Sequence, residues 1–183
     1  MGIKKIKETR APASENDSKE FTAFCRISLF KGLQEDAIRR VFAAAERVLV
    51  KRGQVIMREG EAGNEMFVFV SGTVEVHSRL TLSIDGVDVD SVDKSIVRLK
   101  AVDVGFVGEM ALIEDAPRSA TVQASEPCIL YSIDKQRFNS LCMKHPDIGY
   151  VIMRNMAGVF CSRIRKSNTD ILKLTTALSL VLS

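Results

Sequence analysis

Between Val48 and Ile133 the sequence is a succession of short apolar or alternating runs, each cut off by residues that favour turns. Val48–Val50 leads into Arg52-Gly53, Val55–Met57 into Glu59–Asn64, and Met66–Val70 into Gly72. Gly72 permits a tight reversal because glycine takes positive φ at little steric cost. Met66–Val70 is apolar at every position, which suits a strand buried on both faces. Thr73–Ser83 alternates as a strand does, and Ser95–Ala101 returns. Ser119–Ala124 and Cys128–Ile133 follow, with Pro127 marking the turn between them. Many short strands separated by turns indicate a β-barrel or a double-sheet roll.

Helical patterns flank this region. Phe21, Phe24 and Cys25, then Ile38, Val41, Phe42 and Ala45, each line one face of a helix within Phe21–Phe30 and Glu35–Glu46. Asp134 is a suitable N-cap for a helix over Lys135–Lys144, which Pro146 ends. A longer helix runs from Asp147 without internal proline. Along it Ala157, Ile164, Ile171 and Leu178 recur every seven residues. Met153, Phe160, Ser167, Leu174 and Val181 recur likewise, giving a heptad seam broken at Ser167. The first half of this helix is expected to pack on the barrel and the second half to self-associate, which predicts a homodimer. The organisation expected is a loosely ordered arm over 1–19, a β-roll with flanking helices over 20–146 and the long helix over 147–183. The fold class is α+β, mainly β: a jelly-roll-like double-sheet roll with helices at both ends.

Composition excludes several function classes. No run of eighteen apolar residues is present, so no membrane span is expected, and the polar Met1–Asp17 lacks the apolar core of a secretory signal. The 46% hydrophobic content is enough for a packed core. Cys25, Cys128, Cys142 and Cys161 form no Cys-x-x-Cys pair and read as free thiols in a reducing cytoplasm. His77 and His145 stand alone, so no metal and no cofactor is expected. The aspartates of Ile84–Lys94 lack the closing glutamate of a calcium loop and read as a solvated hairpin tip. A net charge of +3 does not argue for nucleic acid, and the cluster Arg163, Arg165, Lys166 reads as a solvated helix face. No serine or cysteine has a histidine nearby and no carboxylates pair in a constrained motif. The expectation is a protein that is not an enzyme, with no catalytic residues.

Val107–Thr121, read VGEMALIEDAPRSAT, carries the chemistry. Glu109 and Arg118 sit on one short segment that includes a possible helix turn and Pro117. A carboxylate accepts hydrogen bonds from a hydroxyl, and a guanidinium fork matches two oxygens of a phosphate. A ribose with a phosphate attached presents both features. Taken alone, Glu109 reads first as a surface acid at a helix start, and the competing reading of Arg118 is a surface ion pair with Glu114 or Asp115.

The run Gly108, Glu109, Met110, Ala111, Leu112, then Pro117, Arg118, Ser119, Ala120, Thr121 resembles the phosphate-binding cassette of the cyclic nucleotide-binding domain family. That family includes catabolite activator proteins, kinase regulatory subunits and gated channels. Upstream, Arg58 to Phe67 and Val70 to Val74 resemble its turn-strand-turn signature, and the resemblance covers roughly residues 21 to 165. It implies that Glu109 takes the ribose hydroxyl and that Arg118 grips the cyclic phosphate. Backbone N–H groups over Glu109, Met110 and Ala111 would add donors, and Gly108 would allow close approach. The hydroxyls of Ser119 and Thr121 serve phosphate or base, or else face solvent. Val76 and Val97 are either apolar walls for the base or ordinary core. Ser119, just after the arginine, leans the expectation to cyclic AMP over cyclic GMP. Two departures stand out: Val107 replaces the aromatic that often precedes Gly-Glu, with Phe106 one step earlier, and Leu99–Gly108 is about two residues long.

The function expected is a cytoplasmic cyclic nucleotide sensor that signals to an unnamed effector by repositioning its C-terminal helices. The alternative is a ligand-free scaffold or assembly domain. The sequence stops at Ser183, about where a helix-turn-helix of the catabolite activator type would begin, so a stand-alone module or a fragment without direct DNA binding is expected.

Overall fold

The computed structural model describes the backbone of residues 15–77, 79–84, 87–93, 97–100, 103 and 105–182, and the side chains of residues 17–77, 100, 103 and 105–182. Helix α1 (Glu15–Cys25) and a short 3-10 turn (Ser28–Phe30) precede α2 (Glu35–Ala44). Strands β1 (Glu46–Val50), β2 (Val55–Met57), β3 (Glu65–Ser71), β4 (Thr73–His77), β5 (Arg79–Ile84), β6 (Val87–Asp93), β7 (Val97–Lys100) and β8 (Phe106–Val107) follow. After α3 (Met110–Ile113) come β9 (Thr121–Ala124), β10 (Cys128–Asp134), α4 (Lys135–Lys144) and α5 (Pro146–Leu182).

Local chemistry explains the helix ends. The Asp134 carboxylate accepts the Arg137 N–H at 2.8 Å, satisfying a donor that the first turn of α4 leaves open. Pro146 sits at the first position of α5, where a missing N–H costs nothing. Glu35 and Asp36 favour the start of α2, and Arg39 Nε donates to Glu35 at 3.0 Å one turn on.

The strands pair antiparallel in two four-stranded sheets, β1-β10-β3-β8 and β2-β9-β4-β7, with β5-β6 as a separate hairpin. The expected double-sheet roll with flanking helices is what the chain forms. Strand β3 shows why it holds together. Its side chains alternate between faces: Phe67 and Phe69 enter the roll interior with Val48, Val74, Val122 and Leu130, whereas Met66 and Val68 join the helix-side core. One apolar strand therefore belongs to two cores, as its unbroken apolar run predicts. The helix-side core also holds Phe24, Phe30, Phe42, Leu112, Ile148, Ile152 and Met156, so α1, α2, α3 and α5 share one buried mass. Asn155 on α5 donates to the carbonyls of Leu29 at 2.9 Å and Lys31 at 2.8 Å, tying the helix to the 3-10 turn.

Several details differ from expectation. Helix α1 begins at Glu15, inside the segment read as an arm, while residues 1–14 lie outside the described residues. The acidic stretch read as a hairpin tip is in large part strand β6. Val87-Asp88-Val89-Asp90 has the two-residue period of a strand, and that period outweighs the turn preference of aspartate. The single strand expected over Thr73–Ser83 changes partners: β4 pairs with β7 and β9, and β5 with β6. The calcium reading stays rejected on spacing, and the aspartate side chains lie outside the described residues.

Helix α1 is anchored by a buried carboxylate. Glu20 is 7% exposed and accepts both Nε (2.8 Å) and Nη2 (2.7 Å) of Arg47 together with the Tyr131 hydroxyl at 2.6 Å. Burial alone pushes the Glu20 carboxyl up, but the hydrogen bonds from Arg47 and Tyr131 outweigh it and hold the group below the ordinary carboxylate range. Burial and the hydrogen bond to Glu20 push the Tyr131 phenol up. A carboxyl held low when folded contributes stability above its unfolded range and loses it as pH falls through the folded value. Glu20→Gln should therefore lower stability near neutral pH by about 1–3 kcal/mol in chemical denaturation. The gap to the parent should close below the carboxylate range; a pH-independent gap would contradict the assignment.

Candidate functional site

Two loops build the site. Gly60 N–H donates to the Arg118 carbonyl at 2.9 Å, and Arg118 N–H donates to the Glu61 carbonyl at 2.9 Å. Glu59 N–H donates to Thr121 Oγ1 at 3.0 Å. The turn after β2 is thereby stitched to the backbone around Arg118, and Gly63 comes to lie against the guanidinium. A Cβ on Gly63 would stand 2.2 Å from Arg118 Nε, and one on Gly108 2.4 Å from Nη1. Gly108 also has φ of +76°, a conformation that side chains resist. Only glycine at these two positions leaves the arginine its place.

Arg118 is 8% exposed. Its Nη1 donates to the Gly108 carbonyl at 3.1 Å, and its Cζ lies 5.9 Å from the Phe67 ring centre. Burial lowers the guanidinium pKa, and the charges of Glu65 and Glu109 offset only part of that lowering. The group stays cationic, since arginine does not lose its proton in proteins. Glu109 is buried too, at 3% exposed, so the reading of a surface acid is overturned. Arg163, projecting from α5, donates Nη1 to Glu109 Oε1 at 2.5 Å and places its Cζ 6.0 Å from the Phe106 ring centre. Arg118 is likewise no exposed partner of Asp115: that carboxylate takes Lys135 Nζ at 2.8 Å instead.

Glu109, Arg118 and Arg163 line one cavity of about 260 Å³, walled by Met57, Val76, Val107 and Val122. Among the predicted residues, Val76, Gly108, Glu109, Met110, Ala111, Arg118 and Ser119 all line it. Thr121 does not. It alternates with the inward Val122 along β9, so its side chain lies on the opposite face, where the hydroxyl takes the Glu59 N–H. Val97 pairs with Val76 in the β4–β7 ladder, but its side chain lies outside the described residues. Ser119 Oγ approaches Met110 Sδ at 3.8 Å, a weak contact that leaves the hydroxyl available. Of the backbone donors expected at the helix start, Ala111 N–H is already engaged with the Gly108 carbonyl at 3.2 Å.

Sequence reasoning missed Met57, Val107, Val122, Gly63 and Arg163. Strand alternation from Val74 and Ala124 gives the valine and methionine walls once pairing is known. Val107 and Phe106 also alternate: Val107 faces the roll interior and Phe106 the helix-side core. Nothing local marks Arg163, which meets Glu109 across 54 positions. The cavity offers a buried cation for an anion and a buried carboxylate for a hydroxyl, within apolar walls that suit a ring. Among the described residues no group of three potential ligands could hold a metal ion, and no helix is long and apolar enough to cross a membrane.

Comparison with known proteins agrees with this geometry. The family model described as the cyclic nucleotide-binding domain matches residues 47–145. A cAMP-dependent protein kinase regulatory subunit from Yarrowia lipolytica is 32% identical over 115 residues, covering 63% of this chain and 27% of that protein. The mouse cGMP-dependent protein kinase 2 is 32% identical over 170 residues, covering 88% of this chain and 21% of that protein. This chain thus spans about a quarter of the length of these relatives. The crystal structure of the Thermus thermophilus catabolite activator protein superposes with a TM-score of 0.63 at 22% identity, over 81% of this chain and 63% of the other, which shows the shared fold.

Proposed function

This chain belongs to the cyclic nucleotide-binding domain family, and from that premise we propose that it is a cyclic AMP sensor whose ligand state is read out by α5. The observation that carries the proposal is the shared cavity: the buried Glu109 and Arg118 open onto one space of about 260 Å³. In this reading Arg118 takes the exocyclic oxygens of the cyclic phosphate through its guanidinium fork, and Glu109 takes the ribose hydroxyl. Val76, Met57 and Val122 lie against the base, and Ser119 offers its hydroxyl at the rim. Cyclic GMP is the competing ligand, since kinases of both kinds are among the relatives. Ser119, with a hydroxyl but no methyl, favours cyclic AMP.

We read the protein as a binding module and not an enzyme. The polar side chains at the cavity are Glu109, Arg118, Ser119 and Arg163, a set that holds a phosphodiester without supplying a general base placed to activate water. Four free thiols support a reducing, cytoplasmic setting.

The same proposal includes the output. Leu112 of α3 is buried with Ile148, Ile152 and Met156 of α5, so a shift of the cassette moves the floor on which α5 rests. Beyond Cys161 the helix is exposed, with Ile164 at 59%, Ile171 at 56%, Leu174 at 72% and Leu178 at 59%. These residues continue the heptad seam, and a second copy of α5 is the partner that spacing fits. Effector coupling would then pass through the paired helices.

Two measurements test the proposal. Titration calorimetry with cyclic AMP and cyclic GMP should show binding to the nucleotide-stripped parent, and Arg118→Ala should weaken it by roughly 2–5 kcal/mol. No heat and no thermal shift at millimolar nucleotide would favour a ligand-free scaffold. In analytical ultracentrifugation the parent should sediment as a dimer, and Ile171→Asp with Leu178→Asp should return it to a monomer of unchanged helix content. A monomeric parent would remove the dimer from the account.

A further inference from the structure

The side chain of Met110 has no role in the reading given so far, yet it stands at the rim of the site. Among the described methionines, Met66 and Met156 are sealed in the core, while Met143 and Met153 are exposed and do not line the cavity. Met57 is a half-buried part of the cavity wall. Met110 combines access with position: it is 40% exposed and it lines the cavity. Its Sδ lies 3.8 Å from Ser119 Oγ, beside the hydroxyl assigned to the ligand. Met110 directly follows Glu109 and Ser119 directly follows Arg118, so this contact joins the two segments that carry the charged groups.

We propose that Met110 is a reversible oxidation site, and that its sulfoxide lowers the affinity of the cavity for cyclic nucleotide. The inference rests on the nucleotide site proposed above. The oxidant is a peroxide. A lone pair of the Met110 sulfur attacks one peroxide oxygen, the S–O bond forms as the O–O bond breaks, and the second oxygen leaves with both hydrogens as water. Sulfur gives up two electrons and the peroxide takes them. A methionine sulfoxide reductase reverses the change: two thiols supply the electrons, a disulfide forms and the oxygen leaves as water. Met110 opens the four-residue α3, whose buried side is made by Ala111 and Leu112. The sulfur-bearing side chain is therefore open to a small oxidant without any opening of the roll.

Geometry explains why one added oxygen is felt. A thioether is a weak acceptor, so at 3.8 Å the Ser119 hydroxyl stays available to a ligand. Oxidation turns the same side chain from apolar to polar. The new oxygen projects from a sulfur that already faces the hydroxyl, and it closes the gap with a true hydrogen bond. Ser119 then donates within the protein and is withdrawn from the ligand. The negative end of the S–O dipole also joins the rim through which an anion has to reach Arg118. Both effects act against a bound cyclic phosphate. Neither touches the buried partners of Glu109 and Arg118, so the fold and the clamp remain in place for reduction to restore.

The test uses the full chain, stripped of nucleotide, as parent, Met110→Leu and Ser119→Ala, each compared with its own untreated sample. After dilute hydrogen peroxide, peptide mass spectrometry should find Met110 oxidised ahead of Met57. In calorimetry the treated parent should bind cyclic AMP more weakly by roughly fivefold or more, and methionine sulfoxide reductase should restore the binding. Peroxide should leave the affinity of Met110→Leu where it was before treatment, and Ser119→Ala should lose less than the parent. An unchanged affinity in a parent oxidised at Met110 overturns the inference. So does a loss in Met110→Leu as large as the parent's, which would place the effect at Met57 or at a thiol. A loss that the reductase does not restore, an equal loss in Ser119→Ala, or oxidation of Met57 ahead of Met110 overturns it as well. If the untreated parent binds neither cyclic AMP nor cyclic GMP, the function proposed above falls together with this inference; binding by the untreated parent without loss on oxidation removes this inference alone.

Discussion

A guanidinium held inside a β-roll is the constraint from which the rest of the architecture follows. Arg118 keeps its charge at 8% exposure because the main chain comes unusually near to it. Gly63 and Gly108 both leave space that a methyl group would fill, one from the turn after β2 and the other from the start of the cassette. That proximity depends on the backbone ladder joining Gly60 and Glu61 to Arg118. The ladder in turn needs the two sheets closed on each other, and closure rests on the apolar interior of Phe67, Phe69, Val74, Val122 and Leu130. The site is thus a product of the closed roll, and the cation's desolvation is partly offset by the Gly108 carbonyl and by the charges of Glu65 and Glu109.

In the proposed sensor, the coupling between the roll and the helix outside it would run through elements that the two cores share. Strand β3 and the segment leading into the cassette each send alternate side chains to opposite cores. Phe67 and Val107 face the cavity side, while Met66, Phe106 and Leu112 face the helices. That proposal needs no separate relay, since β3 and the short strand β8 belong to both masses. The Arg163 pair adds a polar link where the apolar contacts of α5 end.

The sequence was informative wherever chemistry and spacing were local. Short runs with turn residues between them announce the roll, the unbroken Met66–Val70 announces a strand with two buried faces, and Asp134 marks the start of α4, while Pro146, read as the stop of that helix, is also the first residue of α5. Glu109 and Arg118 are legible because one short segment carries both. Three things were hidden for physical reasons. The side on which Thr121 points depends on strand register, which sequence does not fix until a partner is known. The Val-Asp alternation of β6 was masked by the turn preference of aspartate. Arg163 lay in a basic cluster that looks solvated, because its meeting with Glu109 requires the crossing of α5 over the cassette, a tertiary fact without a local signature.

The central claim is that one cavity reads a sugar hydroxyl with Glu109 and a cyclic phosphate with Arg118. A crystal structure of the chain grown with cyclic AMP tests it most directly. The account predicts the exocyclic phosphate oxygens within hydrogen-bonding distance of both terminal nitrogens of Arg118, and a ribose hydroxyl on Glu109. Nucleotide bound elsewhere, or seated in the cavity with its phosphate turned away from Arg118, would contradict it.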